Sequence, residues 1–369
     1  MTHAFTNKIE EILFRYFEKN AQEIFKKSVL LQYLNYKTRS ANRGSKSRAS
    51  FANLYAIYVL IKDYLEKGFD KNEGYSNYEG ALFSNLLTKQ RQLPFGEKLQ
   101  NHALNNRVNS EFQRLFPETE WTPILRNLST NRYWINENLL KVHISNAEHN
   151  IARAIAEIIE EYIKAKQTAL QNFLEACKKL QNITAHTELE IQDFIRSLLS
   201  PETDARLFEI ASYAILKYFY HGQIIIWGFD LKKLKEENLK LYKTGRTNAN
   251  DGGIDFVMRP IGRFFQVTES LDVKKYFLDI DKIQRYPITF VIKSNDTAEA
   301  IQLKIKEKAL KAYPVHAIVS RYMDCIEEII SIPLLLERFH AAVKRGHLKE
   351  ILDEIILQST IEFNYNPDA

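Results

Sequence analysis

Thr244-Gly245-Arg246-Thr247-Asn248-Ala249-Asn250-Asp251-Gly252-Gly253-Ile254-Asp255-Phe256-Val257-Met258, followed by Gly262-Arg263-Phe264-Phe265-Gln266-Val267-Thr268-Glu269-Ser270, is the stretch on which the reading of this chain turns. A polar, glycine-relaxed loop runs into an aspartate that opens a short strand. Ile254 to Arg259 is rich in β-favouring residues, Pro260 and Gly262 punctuate, and Arg263 to Ser270 resumes as a strand, so the stretch predicts a hairpin. With a period of two, Gln266 and Thr268 share one face of the second strand while Phe265, Val267 and Glu269 share the other. Asp255 and Gln266 then approach each other across the hairpin. Magnesium takes hard oxygen donors, usually one or two carboxylates with carbonyls, waters and phosphate oxygens. The Asp255 carboxylate, the Gln266 amide oxygen and the Val267 carbonyl make such a set.

These residues resemble the PD-(D/E)xK nuclease superfamily and, within it, the type II restriction endonucleases. The family places an aspartate after a Gly-Gly-Ile-like approach and, one hairpin later, a D/E/Q-x-K tripeptide on the neighbouring strand. Asp255 matches the first element and Gln266 the second. Thr268 stands where the family has its lysine. The resemblance implies that a migrated lysine, Lys274 or Lys275 on the next segment or Lys293 on the following strand, takes over that role. Glu269 is a further candidate acid if the register differs by one residue.

The order of elements extends the likeness over roughly residues 200 to 300. Pro201 to Tyr220 reads as a helix with Leu207, Ile210, Ala211, Ala214, Ile215 and Tyr218 on one face, and Glu209 off that stripe. Next come a strand at Gln223 to Trp227, a Lys-rich span from Lys232 to Lys243, and the hairpin. Leu271 to Tyr286 returns to helix, stopped by Pro287, and Ile288 to Lys293 is another apolar strand. By the resemblance, Glu209 is a candidate third acid of a metal site; as a lone residue it reads equally as a solvated helix glutamate.

The 369 residues exceed the usual size of a single core, which predicts two domains. The 45% apolar content is ample for burial. Cys177 and Cys325, far apart in helix-like contexts, suggest reduced thiols rather than a disulfide framework, and the cytoplasm as compartment. Neither a signal-peptide core nor a run near the ~20 apolar residues of a membrane span is present, which predicts a soluble protein.

The net charge of +5 says less than its distribution. Lys37, Arg39, Arg43, Lys46 and Arg48 fall within twelve residues that hold no acid and are interleaved with Ser, Asn and Gly. Such a segment offers cations and N–H groups to phosphates and can reach base edges. A solvated loop is the competing reading; DNA contact is favoured because Phe51 to Leu60 reads as a buried helix anchoring the run. Arg107, in an Asn- and Arg-rich segment with Asn105, Asn106 and Asn109, and Arg246 with Asn248 in the polar loop are further candidate DNA contacts. The Asn-rich segment reads equally as caps and turns of a helical hairpin.

The N-terminal half reads as mainly helical, with long helices over Ile9 to Leu34, Phe51 to Lys67 and Ser145 to Leu180. In the last, Ile151, Ile155, Ile158, Ile159 and Ile163 form a stripe for packing, within the chain or against a second subunit. A cut near Gln181 to His186 separates a helical recognition and dimerisation domain, 1–185, from a nuclease-like domain, 186–369. P-loop, dinucleotide, zinc and Gly-x-Ser-x-Gly patterns are lacking.

The sequence therefore predicts an α+β or α/β protein: a helical N-terminal domain and a PD-(D/E)xK-like core with a mixed sheet flanked by helices. The function this implies is a magnesium-dependent, sequence-specific cleavage of double-stranded DNA by a homodimer, leaving 5′-phosphate ends, with a cognate methyltransferase as genetic partner. The alternatives are a nuclease fold that only binds DNA, and a repair or methylation-dependent nuclease.

Overall fold

A computed structural model of the chain describes residues 2–39, 47–72, 74–97, 99–181, 188–201, 203–244 and 254–363, the side chains of 47–49, 181, 188 and 363 excepted. The protein is a mixed α+β structure of two compact units, Met1–Phe173 with Thr360–Ala369, and Leu174–Ser359. The proposed cut at Gln181 to His186 falls mostly on residues outside the described ones. No helix among the described residues is long and apolar enough to cross a membrane.

The first unit contains α1 (Ala4–Phe17), α2 (Ala21–Lys27), α3 (Val29–Thr38), α4 (Ser47–Glu66), β1 (Ala81–Leu82), α5 (Phe83–Gln92), α6 (Val108–Leu115), β2 (Ile124–Asn127), β3 (Arg132–Ile135), β4 (Lys141–Ile144), β5 (Ala147–Asn150) and most of α7 (Ala152–Gln181). The helix expected over Ile9 to Leu34 is three helices, broken at a 3-10 turn over Glu18–Asn20 and at Ser28, whose hydroxyl caps α3 by accepting from Leu31 N. The expected mainly helical half also contains two small antiparallel sheets, β1-β3-β2 and β4-β5, so that α7 begins at Ala152 and not near Ser145. Ile151, Ile155, Ile158, Ile159 and Ile163 are buried in this unit's own core with Ile9, Leu34 and Tyr55, which occupies the face that could have met a second subunit.

The second unit contains α8 (Glu188–Leu199), α9 (Ala205–Phe219), β6 (Ile224–Trp227), β7 (Lys235–Asn238), β8 (Lys240–Lys243), β9 (Phe256–Arg259), β10 (Arg263–Thr268), α10 (Val273–Lys282), β11 (Ile288–Ile292), α11 (Ala298–Ala312), α12 (His316–Asp324), β12 (Ile326–Ile330), α13 (Ile332–Lys344) and most of α14 (Leu348–Phe363). Its central sheet has the order β12-β11-β10-β9-β8. β8, β9 and β10 form an antiparallel meander, and β11 and β12 run parallel to β10. Each parallel step needs a crossover, supplied by α10 and then by α11 with α12. The β9–β10 turn closes through Gly262, whose positive φ of 70° suits a residue without Cβ and whose N–H donates to Met258 O at 2.9 Å.

Alternation along the strands gives the sheet two apolar faces. Phe264, Ile288, Phe290 and Ile292 pack with Tyr276, Phe277 and Ile305 from α10 and α11. On the other face Phe265 meets Tyr220, and Phe256 meets Tyr213 of α9. Helix α9 is packed on more than the single stripe that its periodicity suggests: Phe208, Ser212, Tyr213 and Leu216 are buried as well. That is why Glu209, off the stripe, keeps only 12% side-chain exposure.

A further correction concerns Gln223 to Trp227. This segment is a strand, but it pairs with β7 in a separate two-stranded ribbon, and the neighbour of β9 is Lys240–Lys243. Ile224 and Ile226 remain exposed, at 61% and 65%.

Candidate functional site

Asp255 lies at the fork where β9 enters the sheet. Its amide donates to Phe265 O at 2.9 Å, and its Oδ2 accepts from Val267 N at 2.7 Å. On the other side Thr244, just past β8, donates its N–H to Asp255 O at 2.9 Å and brings its hydroxyl within 2.9 Å of the same oxygen. Two strands thus fix this backbone, and one of them holds the carboxylate as well.

The Gln266 side chain converges on the same residue of β10: its Nε2 donates to Val267 O at 3.3 Å. Its Oε1 is buried and finds no partner. The Asp255 carboxylate and the Gln266 amide are therefore bonded to the N–H and the C=O of the same residue, Val267. Glu209 approaches from α9. Burial, reinforced by the charge of Glu209, pushes the Asp255 carboxyl up to about 7, against the opposing pull of the Val267 amide, Arg206 and Lys243. Glu209 is itself held by two cations, Lys243 Nζ at 3.1 Å and Arg206 Nη1 at 3.2 Å.

In donor chemistry this set fits a hard divalent cation. The buried Gln266 Oε1 lacks a hydrogen-bond donor, and an unsatisfied buried acceptor is costly. Asp255 and Glu209 repel each other, and a cation near Asp255 would relieve that. The fit rests on mixed donors: among the described residues no group of three or more His, Cys, Asp or Glu side chains is placed to hold a metal ion.

A second polar cluster lies on the α9 face beyond the end of β10. Lys293, which follows β11, donates its backbone N–H to Thr268 O at 3.0 Å, and its Nζ pairs with Glu269 Oε1 at 2.7 Å. The same ammonium donates to Thr203 O and lies 5.8 Å from the ring centroid of Phe208, the residue before Glu209. Thr268 faces the other way. It is 3% exposed and donates its hydroxyl to Ser270 O at 3.4 Å, the same oxygen that accepts from the Tyr276 hydroxyl of α10 at 2.8 Å. A lysine at that position would bury its charge against the α10 core, which gives a physical reason for threonine there. Lys274 and Lys275 sit in the first turn of α10 with exposed side chains, their N–H groups capped by Asp272.

Of the candidate DNA contacts, Lys37 is the clearest departure from expectation. It belongs to α3, its side chain is 7% exposed, and its Nζ lies 3.1 Å from both oxygens of Glu111. Burial lowers its pKa, and the Glu111 charge counters that. Arg39, stacked 4.5 Å over the Tyr36 ring, and the exposed Arg107 both act electrostatically on it, so three of the candidates share one neighbourhood. Asn109 bridges Ile124 N and O, and the Asn105 side chain accepts from Tyr133, so these two tie their helical segment to β2 and β3 rather than capping a helical hairpin. Arg43, Lys46, Arg246 and Asn248, and the side chain of Arg48, lie outside the described residues.

Sequence reading missed Arg206, Lys243 and Thr244. Arg206 carried a local signal, since it stands three residues before Glu209 on one helix. Lys243 and Thr244 carried none, because nothing local says that the end of the Lys-rich span pairs with the strand after Asp255. Comparison of the chain with protein-family models, curated proteins and solved structures found no match.

Proposed function

We propose that the protein is a metal-dependent DNA endonuclease with a PD-(D/E)xK-type core, of the type II restriction class. The observation that carries this reading is the convergence of Asp255 and Gln266 on the Val267 backbone, with the Glu209 charge acting on Asp255, in a β8-β9-β10 meander that continues through α10 into a parallel β11. Helix, three antiparallel strands, helix and parallel strand is the order expected of such a core.

Asp255, the Gln266 amide oxygen and the Val267 carbonyl would hold magnesium, with Glu209 behind them. A bound ion supplies Lewis-acid polarisation of a phosphate oxygen and a water acidic enough to attack near neutral pH. Val267 N–H fixes the Asp255 carboxylate, and Thr244 fixes its backbone. Lys293, buried and paired with Glu269 at the end of β10, would hold that carboxylate in place beside the site. Double-stranded DNA is the substrate, cut to leave 5′-phosphate ends. A homodimer suits a two-fold symmetric site, and a cognate methyltransferase and cytoplasmic action complete the reading.

The second reading is a nuclease fold that binds DNA without cutting it. It draws on Glu209 already being neutralised by Lys243 and Arg206, and on Thr268 being turned towards α10. Incubation of purified protein with unmethylated phage DNA, in magnesium and in EDTA, separates the two. Discrete magnesium-dependent fragments are expected; DNA that is bound but intact in both magnesium and manganese would leave the second reading standing.

A further inference from the structure

The ribbon of β6 and β7 takes no part in the central sheet, and the side chains at its tip are among the most exposed apolar groups of the molecule. Phe229 is fully exposed, at 102%, Leu231 is 88% exposed and Leu234 49%. Single exposed leucines are ordinary, but a phenylalanine and two leucines within six residues at the end of a narrow ribbon are not. The tip is also built. Asp230 accepts from Lys232 N at 2.9 Å and caps a short 3-10 turn, and Gly228 lies against the Lys233 backbone, where a Cβ would come within 2.7 Å of Lys233 O. Trp227 donates its indole N–H to Glu237 at 2.8 Å across the ribbon.

Charge identifies the occupant. Lys232, Lys233, Lys235 and Lys240 are exposed on and below the tip, and none of them forms an ion pair among the described residues. Two of the three neighbouring acids, Asp230 and Glu237, are exposed but already accept the bonds just given. Protein interfaces are depleted in lysine, whereas phosphate backbones select it. The ribbon also belongs to the chain path of the candidate site: it leaves the end of α9, the helix of Glu209, and returns directly into β8, whose last residue is Lys243. Four residues of extended strand span roughly 13 Å, well within one turn of duplex.

We propose that this tip is a DNA wedge, with Phe229 and Leu231 entering between base pairs from the minor groove while Lys232, Lys233 and Lys235 hold the flanking phosphates. It rests on the reading of the protein as a DNA enzyme. Apolar side chains inserted at a base step unstack it and kink the duplex, so the wedge supplies a distortion that phosphate contacts alone do not.

The test uses the full chain on closed circular plasmid. Cleavage by the protein itself is measured in magnesium. Linking number is measured after relaxation by a topoisomerase, in the Asp255→Ala background so that the plasmid stays closed, and affinity is measured in parallel by filter retention. The Asp255→Ala protein is expected to shift the linking number. Adding Phe229→Ala with Leu231→Ala should reduce that shift at least 3-fold at equal occupancy. Adding Lys232→Ala, Lys233→Ala and Lys235→Ala should weaken binding about 10-fold or more and flatten its salt dependence by up to three released ions. An unchanged linking-number shift in the apolar variant, in a protein whose unmutated form cuts DNA, overturns the wedge alone. Altered sedimentation of the apolar variant with unchanged DNA binding would assign the tip to contact between proteins and also overturns it. A chain that neither binds nor cuts plasmid fails at the underlying reading.

Discussion

Two partly buried carboxylates, one in each unit, are treated in opposite ways. Glu111 in the first unit is surrounded by donors: Lys37 Nζ at 3.1 Å from each oxygen, Asn53 Nδ2 at 2.5 Å and Tyr33 at 3.5 Å. Asp255 in the second unit has one backbone N–H, from Val267, at 2.7 Å, an orphaned amide oxygen on the preceding β10 residue, Gln266, and a second carboxylate close enough to raise its pKa. A buried charge with its own countercharge is complete without a ligand. One held near a like charge is costly until something positive arrives or a proton stays on. The contrast separates a structural acid from a candidate ligand-binding one without reference to any relative.

The contrast breaks first at Asp255→Ala. Removing the carboxylate held by the Val267 N–H should lower magnesium-dependent cleavage by about 10³-fold or more, equivalent to roughly 4 kcal/mol of barrier, while DNA retention on filters stays within a few-fold. A variant that cuts at the original rate would remove Asp255 from the chemistry. Glu111→Ala should do the reverse. Leaving Lys37 buried and unpaired costs about 3–5 kcal/mol, read as a drop in the urea midpoint. Cutting per folded molecule should be unaltered, and a selective loss of cutting would show that the first unit's acid is more than structural.

How much of this was legible follows from how far each feature reaches along the chain. That Asp255 and Gln266 lie on the paired arms of one hairpin was readable because its turn, Pro260 to Gly262, sets the register, and the two faces of β10 followed from strict alternation. The pairing of β8 with β9 was not, since Lys240–Lys243 is short, half charged and looks like loop. The apolar Ile224–Trp227 looked the better strand, yet it lies in an exposed ribbon. The burial of Lys37 depends on Glu111, 74 residues further on, so a run of cations could only be read as solvent-facing. The strands of the first unit were hidden for a similar reason: four-residue segments such as Lys141–Ile144 and Ala147–Asn150 carry charged and histidine residues and too few positions for a period to show.

Asp255→Asn sharpens the comparison through pH. The folded carboxyl, raised from 3.8 to about 7, keeps a proton that the unfolded chain has already released. More protons are then bound in the folded state between those values, so stability is fullest below pH 3.8 and falls as pH rises to about 7. Asparagine cannot ionise. At pH 8 without metal, Asp255→Asn should therefore be more stable than the parent by up to about 4 kcal/mol, and the gap should vanish towards pH 4. Magnesium should stabilise only the parent, and increasingly as pH passes 7. A parent and variant with parallel stability profiles in urea titrations from pH 4 to 8 would mean that Asp255 is as well compensated as Glu111.

The smallest effect tests the element the two regions share, a lysine against a glutamate. Lys243 with Glu209, 18% and 12% exposed, looks much like Lys37 with Glu111, at 7% and 16%. The difference is that Glu209 also faces Asp255, so Lys243 occupies the charge-balancing role that a divalent ion would assume. Lys243→Gln keeps a donor of similar reach but removes the charge, and it leaves Arg206 on the other oxygen. If Glu209 helps to hold the ion, a competitor has been removed, and half-saturation of cleavage should need about 5-fold less magnesium, close to 1 kcal/mol. If Glu209 is only a helix acid kept neutral by its partners, the magnesium requirement should stay where it was and Lys243→Gln should instead lower the urea midpoint slightly, as expected of a charge pair of the Lys37 type.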